Sequence, residues 1–193
     1  MKFIADKDYW DKKYADRGDK SLPPEASLVE NIRYFKKGSV LDVACGDGRN
    51  ALFLLENKFK VTGIDYSAVA LTRLKRFADE SHYAVTTKQA DLNNPTALKN
   101  IGIFDNIVIN HYKLSPEQLA TMKNHLSGGG ILFVSGFGSK HPTDSKIKKE
   151  DLIQPTDFAA IEQAFDCIKY SESQDDRGFF VTYIFRKRKY DTI

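Results

Sequence analysis

The residues with the clearest chemical potential surround a short glycine turn between a strand and a helix. Residues 40–51 read VLDVACGDGRNA, so a buried strand runs through small residues directly into a helix. Gly46 and Gly48 have no Cβ, which lets a ligand approach the backbone closely. Asp42 precedes the turn, and Asp65 lies 19 residues beyond Gly46, at the spacing of an acid that binds ribose hydroxyls. The spacing therefore predicts a site for a ligand that contains a ribose.

The charges around the turn separate two classes of cofactor. A nicotinamide dinucleotide would place its doubly negative pyrophosphate near Asp42 and Asp47, which would repel it. S-adenosylmethionine has no phosphate and carries a positive ammonium and a positive sulfonium, so the turn favours this cofactor. An NAD(P)-dependent oxidoreductase stays an alternative, because Gly46, Gly48 and Ala51 also satisfy the G-x-G-x-x-A form of the dinucleotide fingerprint.

The same segment resembles the first motif of the class I S-adenosylmethionine-dependent methyltransferases, with Ala44 in place of the motif's first glycine. The resemblance spans roughly residues 38–136. Within that family, the aromatic N-terminus and the string Gly48-Arg49-Asn50 look most like the tellurite-resistance and thiopurine-type small-molecule methyltransferases. The resemblance implies transfer of a methyl group to a thiol, chalcogen anion, amine or hydroxyl, with release of S-adenosylhomocysteine. A non-catalytic S-adenosylmethionine-binding module is a further alternative.

The resemblance also implies roles for residues at matching intervals along the chain. Asp42 and the 44–48 backbone would hold the methionine moiety, and Asp65 would accept from the two ribose hydroxyls. Tyr66 would pack the adenine, whose amino group and ring edge would meet Asp91 and Leu92. The predicted cofactor-binding residues are Asp42, Ala44, Cys45, Gly46, Gly48, Asn50, Asp65, Tyr66, Asp91, Leu92, Asn110, Trp10 and Tyr14.

The candidate catalytic residues are His111 and Tyr112, which leave the fourth predicted strand at its carboxyl end. A histidine has an unperturbed pKa of about 6.5 and can take a proton from an attacking oxygen or nitrogen. A thiolate, a chalcogen anion or a neutral amine already carries its lone pair, and then the protein contributes mainly alignment. Cys45 is interpreted as a small buried cysteine rather than a nucleophile.

Short β-branched runs alternate with helix-period segments, which predicts an α/β fold of the Rossmann-like, three-layer sandwich type. The expected sheet has seven mostly parallel strands and ends in a C-terminal antiparallel hairpin. Its strands are predicted at 39–43, 60–65, 84–90, 104–110, 131–135, 167–173 and 179–187. The intervening helices are predicted at 50–57, from Ser67, from Ser115 to a stop at Gly128–Gly130, and at 156–164.

The 193 residues, 41% of them hydrophobic, are enough for one domain over 1–193, with an N-terminal helical lid over 1–37 and a sheet core over 38–193. Trp10 and Tyr14 of the lid could meet the sulfonium by a cation–π contact. A formal charge of +3 is small for a nucleic-acid binder, and no apolar run could cross a membrane. Cys45 and Cys167 lack histidines at metal-ligand spacing, so we expect no metal and a reducing, cytoplasmic setting. The expected partner is a small-molecule methyl acceptor, and His82, His125 and His141 are expected on the surface or in helices.

Overall fold

The computed structural model describes residues 7–94, 96–144 and 147–189. Its α-helices are α1 (Lys7–Ala15), α2 (Ala26–Asn31), α3 (Arg49–Glu56), α4 (Ala68–Glu80) and α5 (Pro116–Met122). Its strands are β1 (Ser39–Val43), β2 (Lys60–Asp65), β3 (Thr86–Gln89), β4 (Phe104–Asn110), β5 (Leu126–Phe137), β6 (Phe165–Asp175) and β7 (Gly178–Lys187). Residues 1–6 of the predicted lid lie outside the described residues.

Contacts divide the chain into two compact units. The first unit runs to Ile32 and resumes over Gly38–Ile101, and the second comprises Arg33–Lys37 and the chain from Gly102 onward. Both units are built from the alternating strands and helices that the sequence predicts. The assignment of the whole chain to one domain stays a prediction.

The first unit contains three parallel strands. β1 pairs with β2 from Ser39↔Lys60 to Val43↔Ile64, and β2 pairs with β3 from Thr62↔Thr86 to Asp65↔Gln89. Parallel strands need a crossover, which α3 and α4 supply. Leu41, Leu54 and Leu74 are fully buried between these strands and helices. The register brings the carboxyl ends of β1 and β2, with Asp42 and Asp65, to one edge of the sheet.

The second unit contains the parallel pair β4–β5 and the antiparallel strands β7 and β6. Its core is built around Phe133 of β5, with Ile107 of β4 and Ile184 of β7 buried beside it. Among the described residues, the seven strands form one sheet in the order β3-β2-β1-β4-β5-β7-β6. The predicted Rossmann-like fold, with a mostly parallel seven-stranded sheet and a C-terminal hairpin, is confirmed.

Some predicted boundaries are wrong. α5 ends at Met122 and a 3₁₀ turn follows, so the glycine run does not end the helix but lies inside β5. A register shift between Phe104 and Asn106 absorbs these glycines as an irregularity of the β4–β5 ladder. The helix expected at 156–164 is a 3₁₀ helix over Pro155–Ile161, where Asp157 accepts the Gln154 N–H and fixes the first turn.

Within the described residues, no helix is long and apolar enough to cross a membrane. The same residues contain no group of three or more histidine, cysteine or acidic side chains that could bind a metal ion.

Candidate functional site

The turn between β1 and α3 has an unusual backbone that only partly matches its residue types. Ala44, Gly46 and Gly48 have φ angles of 55°, 56° and 90°, all in the left-handed region. Cys45 donates its N–H to the Ile64 carbonyl at 3.0 Å, and Gly48 donates to the Cys45 carbonyl at 3.1 Å. Glycine adopts this conformation freely, whereas an alanine there costs about 1 kcal/mol. The methyl group of Ala44 therefore places strain in the cofactor-binding turn that the sequence predicts.

Asp42 and Asp65 bring two carboxyl groups into the interior of the first unit. Asp42 is 2% exposed and its Oδ2 has no hydrogen-bond partner among the described residues. Burial, and secondarily the charge of Asp65, raise the pKa of Asp42 to about 8. A buried polar atom without a partner is costly unless a ligand supplies one. The Asp42 carboxyl can therefore bind a positively charged or hydrogen-bond-donating group of a ligand.

Asp65 closes β2 and is fixed by the backbone on both sides. Its Oδ2 accepts from the Gly46 N–H at 2.7 Å, and its Oδ1 accepts from the Ser67 N–H at 2.9 Å. Burial raises the pKa of Asp65, and these backbone hydrogen bonds oppose that shift. A carboxylate has about four lone-pair directions, and the backbone N–H groups of Gly46, Ser67 and Tyr66 all lie against that of Asp65. Asp65 thus ties the glycine turn to β2 and keeps one lone-pair direction for a ribose hydroxyl.

Asp47 changes the charge argument made from the sequence. Its buried carboxylate is held by two arginines, with Arg17 Nη1 at 2.7 Å from Oδ1 and Arg73 Nε at 3.3 Å from Oδ2. These two cations more than balance one carboxylate, so Asp47 does not repel a phosphate as the sequence argument assumed. The charge argument against a pyrophosphate therefore cannot rest on Asp47.

α1 covers the turn within the first unit. A Cβ at Gly46 would collide with the Tyr14 hydroxyl, so Tyr14 lies directly over the glycine backbone. The Trp10 ring stacks on Tyr14 with centroids 6.1 Å apart. α1 is also fixed to the start of α4, because Asp11 accepts from the Ser67 hydroxyl at 2.5 Å. The described part of the predicted lid thus contacts the predicted cofactor turn through Tyr14.

The Cys45 thiol is buried beside Gly63, and burial raises its pKa well above the ordinary value. A thiol is nucleophilic only as the thiolate. Cys45 therefore packs behind the turn, in agreement with its interpretation from the sequence.

The predicted adenine residues follow β3. Ala90 donates its N–H to the Asp65 carbonyl at 2.9 Å, and Gln89 Nε2 donates to the Tyr66 carbonyl at 3.0 Å. These bonds bring the Asp91-Leu92 segment beside the end of β2. Asp91 Oδ1 accepts from the Asn93 N–H at 2.9 Å, which is a local turn interaction. The roles of Tyr66, Asp91 and Leu92 toward a cofactor stay predictions.

Asn50 has a structural partner that the sequence does not reveal. Its Oδ1 accepts from the Glu25 N–H at 3.0 Å, and the neighbouring Arg49 pairs with the Glu25 carboxylate and donates to the Pro23 carbonyl. The start of α3 therefore holds the segment that leads into α2. No local sequence pattern predicts these contacts, since the partners lie about 25 residues apart in the chain.

In the second unit, Asn110 and His111 end β4. Asn110 is buried, and neither polar atom of its side-chain amide has a hydrogen-bond partner within the described part of the chain. His111 is exposed, has a φ of 53°, and donates its N–H to the Ser135 carbonyl at 2.9 Å. Tyr112 is half-buried. The side-chain amide of Asn110 can therefore still donate and accept hydrogen bonds to a ligand. His111 is exposed, as a residue that accepts a proton from an incoming substrate must be.

An aromatic cluster around His111 was missed by sequence reasoning. The centroid of the His111 ring lies 5.9 Å from that of Phe137 and 5.5 Å from that of Phe180. The ring centroids of Phe137 and His141 are 4.0 Å apart. The prediction that His141 lies on the surface or in a helix is wrong: it is buried, and its Nδ1 accepts from the Phe179 N–H at 3.1 Å. Its partners come from β5 and β7, so no spacing along the sequence indicates them.

The sequence matches the family described as tellurite resistance protein TehB over residues 2–176. The Haemophilus influenzae protein named probable S-adenosyl-L-methionine-dependent methyltransferase TehB is 26% identical over 134 residues, which are 66% of this chain and 44% of that protein. The chain thus spans less than half the length of that curated relative.

Two solved structures have the same fold. The crystal structure of TehB from Haemophilus influenzae has a TM-score of 0.71 and 21% identity, covering 94% of this chain and 67% of that one. The N-methyltransferase NodS from Bradyrhizobium japonicum WM9, in complex with S-adenosyl-l-homocysteine, has a TM-score of 0.64 and 16% identity, covering 95% of this chain and 93% of that one. At these identities the likeness is one of fold.

Proposed function

The chain belongs to the tellurite resistance protein TehB family, and from that premise we propose that it is an enzyme that transfers a methyl group from S-adenosylmethionine to a small-molecule acceptor. The observation that carries the proposal is the buried Asp42 carboxyl, whose Oδ2 has no partner among the described residues. The predicted cofactor offers an ammonium to such a group. A cation beside Asp42 favours its ionised form and so offsets the cost of burying it.

The residues of the first unit fit the rest of this cofactor. Asp65 keeps one lone-pair direction for a ribose hydroxyl, since the backbone N–H groups of Gly46, Ser67 and Tyr66 use the others. Tyr66 and the Asp91-Leu92 pair would take the adenine. Tyr14 and Trp10 present aromatic surface above the glycine turn, which suits a sulfonium.

When bound, S-adenosylmethionine supplies an electrophilic methyl group on a positively charged sulfur. The chain's own contribution is then to align the acceptor's nucleophilic atom with that methyl and to exclude water. His111, exposed at the end of β4, would take a proton from a hydroxyl or a protonated amine. A thiolate or a chalcogen anion needs no such base. Tyr112, next along the chain, is the second candidate on the acceptor side.

Titration calorimetry with S-adenosylmethionine tests the cofactor assignment. We expect saturable binding that is lost in Asp65→Ala, while Asp19→Asn, whose side chain is 96% exposed, binds as the parent does. Absence of binding by the parent would refute the proposal. Binding of NADH or NADPH instead would favour the oxidoreductase alternative.

A second experiment tests the reaction. S-adenosylhomocysteine release is measured with a thiol, selenite, an amine and a phenol as acceptors. Turnover with one of them would identify the acceptor class. Binding of S-adenosylmethionine without turnover across the whole panel would favour the non-catalytic module.

A further inference from the structure

Asp47 stands in the middle of the glycine turn, and two arginines from different parts of the first unit bind its carboxylate. Arg17 comes from the segment after α1, and Arg73 comes from α4. Asp47 is 2% exposed, and the guanidinium atoms lie 2.7 Å and 3.3 Å from its two oxygens. The proposed cofactor contacts assign no role to the side chains of these three residues.

Arg73 contacts more than the carboxylate. Its Nη1 donates to the Arg17 carbonyl at 3.1 Å, and its Nη2 donates to the Gly18 carbonyl at 2.7 Å. All three of its nitrogens are therefore used, each by a different acceptor. Only arginine presents donors in such a planar fork, so a lysine could replace the charge but not the set of bonds. We call Asp47, Arg17 and Arg73 the clasp.

The clasp joins the cofactor turn to the segment that directly follows α1. α1 bears Tyr14, which covers Gly46, and Trp10, which stacks on Tyr14. Arg17 also lies over the Tyr14 ring, with its guanidinium carbon 4.8 Å from the ring centroid. Moving the covering aromatics away from the turn therefore disturbs the contacts of Arg17.

A buried ion pair contributes little net stability, since desolvation offsets the attraction between its charges. What the clasp provides is a fixed position for the N-terminal cover. We propose that Arg73 and Arg17 are positioning residues that hold this cover closed on the cofactor turn through Asp47, and that the clasp opens when the cofactor exchanges. The second half of this statement rests on the proposed function.

Trp10 is the sole tryptophan of the chain, so its fluorescence reports on the cover directly. The first measurement is acrylamide quenching of Trp10 in the ligand-free protein. In Arg73→Met we expect quenching to increase at least about twofold as the cover opens. Lys75→Met is the matched control, because Lys75 is an exposed cation on the same helix and should leave quenching unchanged.

The second measurement is the dissociation rate of S-adenosylhomocysteine, followed by stopped flow. Arg73→Met and Arg17→Met should each raise this dissociation rate, by about tenfold for Arg73→Met. In Arg73→Lys the rate should lie between those of the parent and Arg73→Met, because a lysine keeps the charge but cannot also donate to the Arg17 and Gly18 carbonyls. Adding Asp47→Asn to the double variant Arg17→Met/Arg73→Met should have little further effect, since neither arginine is then left to bind Asp47.

Each outcome decides between a positioning role and a purely structural one. If Arg73→Met and Arg17→Met lower the unfolding midpoint but leave both quenching and dissociation at the parent's values, the proposal is overturned. Arg17→Met, at the more exposed arginine, provides the test if Arg73→Met fails to fold. If the parent binds no S-adenosylhomocysteine, the proposed function fails, while Trp10 quenching still supports or overturns the clasp.

Discussion

Replacing Asp42 with asparagine should remove a specific pH dependence from the stability of the ligand-free protein. Asp42 is buried, its Oδ2 has no partner among the described residues, and its pKa is raised to about 8, first by burial and then by the charge of Asp65. In the unfolded chain the same group titrates near 3.8. Between these two values the folded state holds a proton that the unfolded state has lost.

The sign and the size follow from this difference. The free energy of unfolding falls with rising pH wherever the folded state binds more protons than the unfolded state. The stabilising contribution of protonated Asp42 is therefore complete below its unfolded pKa of 3.8 and is lost as the pH rises through its folded pKa of about 8. Each pH unit inside the window changes the free energy of unfolding by about 1.4 kcal/mol, and less close to its limits. From about pH 5.5 to about pH 8, Asp42 should lower the stability by about 3 kcal/mol.

Urea unfolding of the parent and of Asp42→Asn at these two pH values measures the effect. The other titrating groups are common to both proteins, so the difference between their two slopes isolates Asp42. Asp19→Asn, at a fully solvated carboxylate, should keep the parent's pH dependence. Equal pH dependence in the parent and Asp42→Asn would show that the carboxyl is not a buried neutral acid.

Other perturbations test separate parts of the site. Ala44→Gly should raise the free energy of unfolding by about 1 kcal/mol, because the residue has a φ of 55°, and a thermal or urea midpoint that does not rise would contradict the strain. Asp65→Asn should weaken S-adenosylmethionine binding at least about tenfold in calorimetry, since it loses the charged acceptor for the ribose, and parent-like affinity would exclude that role. His111→Asn should lower kcat for a hydroxyl acceptor on the order of 100-fold with an unchanged cofactor Kd, whereas an unchanged kcat would exclude a base. Iodoacetamide should label the exposed Cys167 and not the buried Cys45 in the native protein, as peptide mass spectrometry would show, and rapid labelling of Cys45 would contradict its burial.

The strands that surround the glycine turn were predictable because their signals are local. β1, β2 and β4 have the predicted bounds, since each is a short segment with β-branched residues at or near its centre that is followed by a turn. Ser67 and Ser115 cap α4 and α5 as predicted, because a cap depends on residues three positions apart. A helix was predicted near Pro155–Ile161 but its 3₁₀ type was not, because the sequence pattern of a segment this short does not distinguish a 3₁₀ helix from an α-helix.

The amino-acid sequence by itself determined the class of fold, the position of the glycine turn and the family to which the chain belongs, since these depend on periodicity and on residues close in the chain. Only the tertiary structure decided which charges are compensated. It pairs Asp47 with Arg17 and Arg73, which lie 30 and 26 residues away, and leaves the Asp42 Oδ2 without a partner in the described residues. Burial and ion pairing depend on which segments of the chain contact one another in the folded protein. Those contacts determine the free-energy cost of burying carboxylates such as Asp42 and Asp47.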